Sequence, residues 1–310
     1  MTSLHPALSW RPLSEADLPA VTELTGLCLA ADGGQPYAAS AGFVSQSYLA
    51  GAETIGGWDD ERLVCVSALR RPSPETPDAG AVPAVTTGLV DPQWRRRGIG
   101  GSAFGWAAAA WAASARAAGP SGPGGLRAET EALSDGAHAL YLSRGLAQQF
   151  AEDIMQLPAA TQLPPAAAPD GLTVSEWGQA DPGRFFAVYS ASFGDRPGFP
   201  GWPQDRWVEW ISDDDDFRPE LTLLAAVRGA DTGFIVGDAA GWIAQVGVTP
   251  AARGQGIGVW LVTEAVRRMR AAGESVITLN VNIDNPHAIA LYRRLGFTRT
   301  GRRAKYQSPA

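Results

Sequence analysis

The sequence of 310 residues predicts two mixed α/β domains in tandem, each with a central mixed β-sheet flanked by helices. Three observations support this prediction. The chain is long for one domain, since domains usually contain about 100–200 residues. A sequence pattern occurs twice, and a Pro- and Ala-rich segment separates the two copies. In each half the predicted order is strand, helix, strands, glycine-rich loop, helix, strand, helix and strand.

The repeat is clearest at two glycine-rich segments. Residues 95–100 read Arg-Arg-Arg-Gly-Ile-Gly and residues 253–258 read Arg-Gly-Gln-Gly-Ile-Gly. Each segment follows an apolar strand and a Pro-containing turn, and each opens a helical stretch. Downstream, residues 139–146 match residues 290–297 through Ala-Leu-Tyr and a later Gly. The spacing is longer in the first half, and the Gly/Pro-rich run at 119–125 predicts a loop insertion there.

The domain limits follow from composition and from helix-start signals. Residues 158–171 are rich in Pro and Ala, which predicts a semi-rigid linker between domains at 1–157 and 172–310. Each half opens with a strand followed by a helix. Ser14 and Asp181 are the predicted N-caps, and Pro182 suits the first helical position.

Composition restricts the class of protein. With 45% hydrophobic and 18% charged residues the chain is globular, and no apolar run is long enough to span a bilayer. The first residues do not resemble a secretory signal, so we expect a cytoplasmic protein without a membrane partner. A net charge of −7 argues against nucleic acid as a partner. Cys28 and Cys65 lie in apolar runs and are predicted to be buried, reduced thiols. No metal site is predicted, and the oligomeric state stays open.

The segment at 253–258 has the chemistry of a pyrophosphate-binding loop. Its glycines allow backbone N–H groups to approach a ligand, and the following helix N-terminus and Arg253 add positive charge. A Walker loop is excluded because no Gly-Lys-Ser/Thr follows, and the dinucleotide fingerprint lacks its third Gly. A simple turn into a helix is the alternative. The recurrence of the pattern in both halves favours a binding loop.

With these motifs the sequence resembles the GCN5-related N-acetyltransferase (GNAT) superfamily, and its two-domain form is similar to the mycothiol synthases and related tandem acetyltransferases. In the second half the resemblance covers 246–248, 253–258, 285–292 and 295–297. It implies acetyl-CoA, or another acyl-CoA, as the donor substrate. The implied binding residues of the second half are Val246, Gly247, Val248, Arg253, Gly254, Gln255, Gly256, Ile257, Gly258 and Asn285, the last on the pantetheine arm. The counterparts in the first half are Leu89, Val90, Arg95, Arg96, Arg97, Gly98, Ile99 and Gly100.

The resemblance also implies that Tyr292 lies near the thioester sulfur. A phenol there can act as the general acid for the departing thiolate, and the backbone N–H of Val248 can stabilise the acyl oxygen. The alternative for Tyr292 is an ordinary core tyrosine. The first half matches less completely, with Tyr141 retained but Ser134 in place of Asn285. We therefore expect the better-preserved donor site in the second half, and a scaffold or a contribution to the acceptor cleft from the first.

The acceptor side is less defined. Glu129 and Glu131 share one strand face and border a cleft or are simply solvated. Residues 213–216 are four aspartates that either attract a cationic amine or end a helix in solvent. The aromatic and Pro-rich run at 193–202 resembles an acceptor-side loop. In mycothiol synthases an acidic residue is expected here; this chain has Gly198 and Phe199, with Asp195 displaced, which argues against mycothiol synthesis. The residues that either line an apolar acceptor cleft or cover the core are Trp202, Trp207 and Trp210.

Together these features predict an acyl-CoA-dependent N-acyltransferase. The predicted reaction transfers acetyl to a primary amine of a small molecule by direct attack in a ternary complex. Two alternatives remain at this point. One is acetylation of a protein N-terminus or lysine, and the other is a non-catalytic CoA-binding or sensing protein.

Overall fold

The computed structural model describes residues 4–72, 82–118, 124–196, 199, 201–213 and 215–308. The chain forms two compact units, the first made of Met1–Ile154 with Thr300–Ala310 and the second of Met155–Arg299. Each unit contains a β-sheet with helices packed on it, so the predicted mixed α/β fold is confirmed. Most of the predicted loop insertion, residues 119–123, lies outside the described residues.

The first unit has a sheet with the strand order β1-β2-β3-β4-β5-β12-β6, in which β12 is the C-terminal strand Thr298–Gln307. Strand β4 runs parallel to β5, whereas β1, β2 and β3 form an antiparallel series with it. Its elements in chain order are β1 (Ser9–Arg11), α1 (Leu18–Asp32), α2 (Ala41–Val44), β2 (Glu53–Asp59), β3 (Arg62–Arg70), β4 (Ala84–Val90), α3 (Ile99–Ala118), β5 (Leu126–Thr130), α4 (Asp135–Ser143) and β6 (Ala147–Pro158).

The second unit repeats this plan with the strand order β6-β11-β10-β9-β8-β7. Strand β10 is parallel to β11 and antiparallel to β9. Its elements are β7 (Leu172–Glu176), α5 (Pro182–Phe193), α6 (Gln204–Ser212), β8 (Leu223–Val227), β9 (Ala230–Gly237), β10 (Trp242–Val248), α7 (Ile257–Ala271), β11 (Val276–Asn282), α8 (Pro286–Arg294) and β12 (Thr298–Gln307).

The last strand of each half changes units. Strand β6 begins in the first unit, and its residues from Met155 onwards belong to the second. Strand β12 begins in the second unit and from Thr300 belongs to the first, where Ala304 pairs with Thr130 of β5. The division into units therefore differs from the sequence-based limits, which placed the whole C-terminus in the second half.

Alternating side chains place helices on both faces of each sheet. In the second unit Ile235 of β9 packs with α7, while its neighbours Phe234 and Val236 pack with α5 and α6. In the first unit Val66 packs with α1, and the adjacent Cys65 packs with α3. Each sheet is thus the middle layer of three.

Each sheet opens where its central parallel strands part. Strands β4 and β5 are paired only from Ala84 to Thr86, and β10 and β11 only at Trp242 and Ile243. Beyond these residues the two strands of each pair are not hydrogen-bonded to one another. The opening lies at the end of the strand that leads into the glycine-rich loop, because β4 precedes residues 95–100 and β10 precedes residues 253–258.

The helix-start predictions differ in outcome. Asp181 is the N-cap of α5, and its carboxylate accepts a hydrogen bond from the Gly183 N–H at 2.6 Å. Ser14 is the N-cap of a short 3₁₀ turn, Glu15–Asp17, whose Asp17 carboxylate accepts the Ser14 N–H at 2.9 Å. Helix α1 follows this turn and begins at Leu18. Within the described ranges, no helix has both the length and the apolarity that a bilayer crossing requires.

Candidate active site

The two glycine-rich loops have the same backbone shape. In the second unit Gly254 and Gly256 have φ values of 79° and 82°, and in the first unit Arg96 and Gly98 have 64° and 87°. All four values lie in the left-handed region that favours glycine. Arg96 therefore adopts a conformation that costs a non-glycine residue about 1 kcal/mol or more, at the position of Gly254.

Matching contacts fix the register between the halves. A side chain added at Gly100 would meet Val90 at 3.6 Å and Leu140 at 3.8 Å. At Gly258 it would meet Val248 at 3.6 Å and Leu291 at 3.7 Å. Val90 therefore corresponds to Val248, and Tyr141, which follows Leu140, corresponds to Tyr292.

Both loops offer an open approach to a helix N-terminus. Helices α3 and α7 begin at Ile99 and Ile257, directly after Gly98 and Gly256. Nothing lies within 4 Å of a Cβ added at Gly98, Gly254 or Gly256. Because the first N–H groups of a helix have no partner within it, the arrangement suits an anion. The geometry fits a pyrophosphate, and the binding roles from the sequence stay predictions.

The first arginine of each loop fastens the loop to the protein. The Arg253 guanidinium donates to the carbonyl oxygens of Val248 at 3.3 Å and Ser192 at 3.1 Å. Arg95 donates to the Val90 carbonyl at 3.1 Å and makes two bonds to the Asp32 carboxylate, at 2.7 and 2.6 Å. The sequence predicted that the arginine charge lies beside a phosphate. It did not indicate the partners Ser192 and Asp32, which lie at the ends of α5 and α1.

The remaining arginines of the first loop are more exposed. Arg97 lies over the Trp94 ring at 4.7 Å and donates to the Gln93 carbonyl at 3.3 Å. Arg96 is exposed and contacts no other charged or hydrogen-bonding group among the described residues. Its guanidinium is thus available at the loop, where the second unit has only the hydrogen of Gly254.

Backbone donors of the central strands face the openings. The Thr249 N–H bonds the Thr232 carbonyl on β9 at 2.9 Å, and the Asp91 N–H bonds the Val64 carbonyl on β3 at 2.9 Å. Since hydrogen bonding alternates along an antiparallel pair, the N–H groups of Val248 and Val90 point to the other side, towards the gap. A donor at each position is available for an acyl oxygen.

Asn285 and Ser134 have the same structural position. The side-chain oxygen Oδ1 of Asn285 accepts the Ala288 N–H at 3.1 Å and caps α8, and the Ser134 hydroxyl accepts the Ala137 N–H at 3.2 Å and caps α4. The side-chain nitrogen Nδ2 of Asn285 bonds no other group in the described part of the chain. It can donate to a ligand while the oxygen caps the helix, as its predicted role on the pantetheine arm requires.

Tyr292 and Tyr141 are both 6% exposed. Burial raises the pKa of Tyr141 to about 12 and raises that of Tyr292 above its usual range. Tyr292 packs on Phe297 at 5.9 Å, and its hydroxyl has no hydrogen-bond partner among the described residues. The phenol is therefore protonated, and its hydroxyl is available to donate a hydrogen bond to a ligand. Its place in the core agrees with the structural alternative as well, so the catalytic role stays a prediction.

The first unit contains a cavity of about 820 Å³. It extends from Arg96 and Gly98 along β4 to Tyr141, and Cys28 and Asp32 of α1 also line it. The sequence predicted the better-preserved donor site in the second half, and a cavity of this volume in the first half was not predicted. The small residues Ser67, Gly88 and Ala103 are the sequence feature that could have indicated it.

The predicted acidic candidates lie outside this cavity. Glu129 and Glu131 share a face, as expected, and face basic residues of β12, with Lys305 at 3.4 Å from Glu129 and Arg303 at 3.8 Å from Glu131. Burial raises the pKa of Glu131. Asp213 caps the end of α6 in an exposed position, while Asp214 lies outside the described residues. The described ranges contain no cluster of residues that could hold a metal ion.

The aromatic residues near 193–210 divide between core and surface. Trp207 is fully buried, stacks on Tyr189 at 4.8 Å and donates to the Gln245 side chain at 3.3 Å. Trp210 is 49% exposed and meets Trp202 edge to face at 5.8 Å. Trp207 thus covers the core. Phe199 contacts Tyr189, while its neighbours Pro197, Gly198 and Pro200 lie outside the described residues.

Comparison with known proteins agrees with this geometry. Residues 177–297 match the family described as the acetyltransferase (GNAT) family. A mycothiol acetyltransferase of Gordonia bronchialis is 30% identical over 252 residues, covering 76% of each chain. That of Mycolicibacterium smegmatis is 31% identical over 249 residues, covering 77% of this chain and 78% of the relative.

Solved structures share the fold over the whole chain. A GCN5-related N-acetyltransferase from Sphaerobacter thermophilus has a TM-score of 0.74 at 24% identity, covering 99% of this chain and 96% of the other. A tandem GNAT protein from the clavulanic acid biosynthesis pathway has a TM-score of 0.57 at 19% identity, covering 98% and 99%.

The repeated loop, the parted strands and these similarities define one class of enzyme. The chain belongs to the acetyltransferase (GNAT) family. It is a tandem GNAT protein and an N-acetyltransferase.

Proposed function

We propose that the second unit transfers an acetyl group from acetyl-CoA to a primary amine of a small molecule, by direct attack of the amine in a ternary complex. One observation carries this proposal. Strands β10 and β11 part after Ile243, and the gap ends at an open glycine-rich loop at the start of α7. A long, thin donor with a pyrophosphate at one end fits such a gap.

Donor binding is assigned to the chain's own groups. The backbone N–H groups of residues 254–258 hold the pyrophosphate, and Arg253 keeps the loop against β10 through the Val248 carbonyl. The pantetheine arm lies along residues 246–248, within reach of the Asn285 amide. Acetyl-CoA supplies the activated acyl group, and the protein supplies its orientation.

Two groups act on the charge that develops during transfer. The Val248 N–H, which faces the gap, stabilises negative charge on the acyl oxygen. Tyr292 hydrogen-bonds the departing sulfur and passes it a proton as the C–S bond breaks, and the tyrosinate regains a proton when the nitrogen that formed the C–N bond releases its own. Because a phenol is a weaker acid than a thiol and burial raises the pKa of Tyr292 further, the hydrogen bond is the larger part of its contribution.

The acceptor is proposed as a class, a small molecule with a primary amine. The curated relatives are named for mycothiol. The sequence near the acceptor side, with Gly198 and Phe199 in place of an acid, argues against that substrate for this chain. An amine panel should therefore include the mycothiol precursor that lacks the acetyl group, together with unrelated amines.

The proposal is tested with matched tyrosine variants in an amine-dependent assay of CoA release. For Tyr292→Phe we expect a fall in kcat of roughly a hundredfold, because the hydrogen bond to sulfur is lost, with acetyl-CoA affinity retained. Tyr141→Phe is the matched change in the first unit and should keep the turnover of the second. Full activity in Tyr292→Phe, or a loss that follows Tyr141→Phe alone, would contradict the assignment to the second unit.

A further inference from the structure

The cavity of the first unit reaches deeper than the loop and the parted strands. It continues along β4 to Thr86, the last residue at which β4 pairs with β5. We call this deep part the inner chamber. We define it by six of the residues that line the cavity: Ser67, Thr86, Gly88, Ala103, Phe104 and Tyr141.

Three small residues create the inner chamber. Gly88 pairs across the sheet with Ser67, and Ala103 lies one turn into α3. A Cβ added at Gly88 would already approach the Val66 carbonyl oxygen at 3.1 Å and the Ser67 hydroxyl at 4.0 Å. A side chain at this point of β4 would therefore require the backbone of β3 to shift.

The second unit has bulky residues at the same three positions. The pair Gly88 and Ser67 corresponds to Val246 and Ile235, which are also cross-strand partners. Ala103 corresponds to Leu261, since each is the fifth residue of its helix. Ile235 and Leu261 are both 0% exposed and pack in the core with Val246. Branched side chains of the second unit thus occupy the positions at which the first unit has small residues.

The walls of the inner chamber are suited to an apolar group. None of its six residues is charged, and the Ser67 hydroxyl already donates to the Ala103 carbonyl at 3.2 Å. Phe104 is larger than its counterpart Val262, and it forms an aromatic wall with Tyr141, at 5.9 Å between ring centres. The charged residues that line the cavity as a whole are Asp32, Arg95, Arg96 and Asp135, and Arg95 and Arg96 belong to the loop.

We propose that the first unit binds an acyl-CoA whose acyl group is larger than acetyl, a short to medium aliphatic or aromatic acyl group seated in the inner chamber. This inference rests on the CoA binding that the sequence predicts for residues 95–100 of the first unit. The cavity leads without interruption from that loop to the chamber, so a donor held at the loop by its pyrophosphate directs its acyl end inward. The second unit, filled at the same place, accepts acetyl.

The expected selectivity follows from burial of the acyl chain. Each methylene group moved from water into an apolar site increases affinity about fourfold. Hexanoyl-CoA should therefore bind the first unit roughly tenfold more tightly than acetyl-CoA, or better, even if only part of its chain is buried. Coenzyme A without an acyl group should bind no more tightly than acetyl-CoA.

The test is calorimetry on the full-length chain with Gly256→Glu, which places a negative charge at the second loop and limits binding to the first unit. The three ligands are CoA, acetyl-CoA and hexanoyl-CoA. Ala103→Leu, which copies the second unit, should remove the preference for hexanoyl-CoA, and the milder Ala103→Val should reduce it. Ala109→Leu, on an exposed position of the same helix, is the control for added bulk and should retain the preference.

The outcomes distinguish failure of the acyl site in the inner chamber from failure of CoA binding at the first loop. Equal affinity for acetyl-CoA and hexanoyl-CoA, or weaker binding of hexanoyl-CoA, would overturn the inner chamber as an acyl site while CoA binding at the first loop stands. Absence of binding by all three ligands would remove the first-unit CoA site and this inference with it. The chain-length comparison in the Gly256→Glu background decides the matter even if both Ala103 variants fail to fold.

Discussion

Single side chains explain why two loops of similar sequence differ. Arg95 is tied to the Asp32 carboxylate, which is only 11% exposed, whereas Arg253 is tied to two carbonyl groups. The charge of Arg95 is therefore compensated by a carboxylate, whereas Arg253 has no carboxylate partner among the described residues. For the same reason the two arginines, which look equivalent in sequence, have different effects when they are removed.

Arg95→Ala should lower the free energy of unfolding by about 1–3 kcal/mol, because it leaves a largely buried carboxylate without its partner. Thermal or urea unfolding measures this change. Arg96→Gly is the matched variant in the same loop. It should raise stability by up to about 1 kcal/mol, because glycine adopts the left-handed conformation without strain. A loss of stability in Arg96→Gly as large as that in Arg95→Ala would contradict the distinction.

The protonation state of Tyr292 sets a second expectation at this scale. A proton donor works below its pKa, and burial raises the pKa of Tyr292 above the usual value of about 10. The rate should therefore rise with pH as the amine loses its proton and should not fall again below about pH 10. A kcat profile checks this. A descending limb centred near pH 10 that disappears in Tyr292→Phe would instead show that the phenol titrates at its usual pKa of about 10.

At the scale of elements, the loop and the following helix act as one unit. The N–H groups of a helix start are useful to an anion only if no side chain blocks them, and Gly98 and Gly256 keep both starts open. The two glycines have nearly the same φ and the same empty surroundings, so they form a matched pair for substitution.

Gly98→Glu and Gly256→Glu should each abolish CoA binding in their own unit, because the carboxylate repels phosphate. Calorimetry with acetyl-CoA should show one site lost in each variant, and amine-dependent turnover should fall only in Gly256→Glu. Gly98→Asn and Gly256→Asn control for backbone strain, since Asn tolerates the left-handed region and carries no charge. Turnover that falls in Gly98→Glu and survives in Gly256→Glu would reverse the roles of the units.

Several elements could be predicted from sequence because their signals are local. The structure confirms the left-handed glycines of the two loops, the helix cap at Asp181 and the burial of the free thiols of Cys28 and Cys65. The Arg95–Asp32 pair could not be predicted, because the two residues are 63 positions apart in sequence. The inner chamber also escaped prediction, since Gly88 and Ala103 look unremarkable until the fold places them together.

At the scale of the whole molecule, the main difference from the sequence prediction is the pairing of β12. Its alternating residues predict a strand, but nothing local states which strand it joins. In the first unit Arg302 bonds the Asp153 carboxylate at 2.7 Å, Arg303 bonds Glu152 at 2.9 Å, and Tyr306 is fully buried. The C-terminal residues are thus part of the core of the first unit.

Removal of residues 300–310 should therefore destabilise the first unit, although the deletion lies at the far end of the sequence. Hydrogen exchange should show loss of protection in β5, which has Ala304–Gln307 as a partner. Removal of only residues 309–310 is the control and should have no such effect. Unchanged protection of β5 in the longer truncation would show that β12 is dispensable there.

The exchange of final strands also limits what evolution and engineering can do with this duplication. A gene cut at the Pro- and Ala-rich segment yields a front piece without its closing strand and a back piece that carries a strand belonging to its neighbour. Neither half can be removed without loss, because the survivor would lose part of its own sheet. Residues 1–157 or 172–310, expressed alone, are therefore expected to form an incomplete sheet.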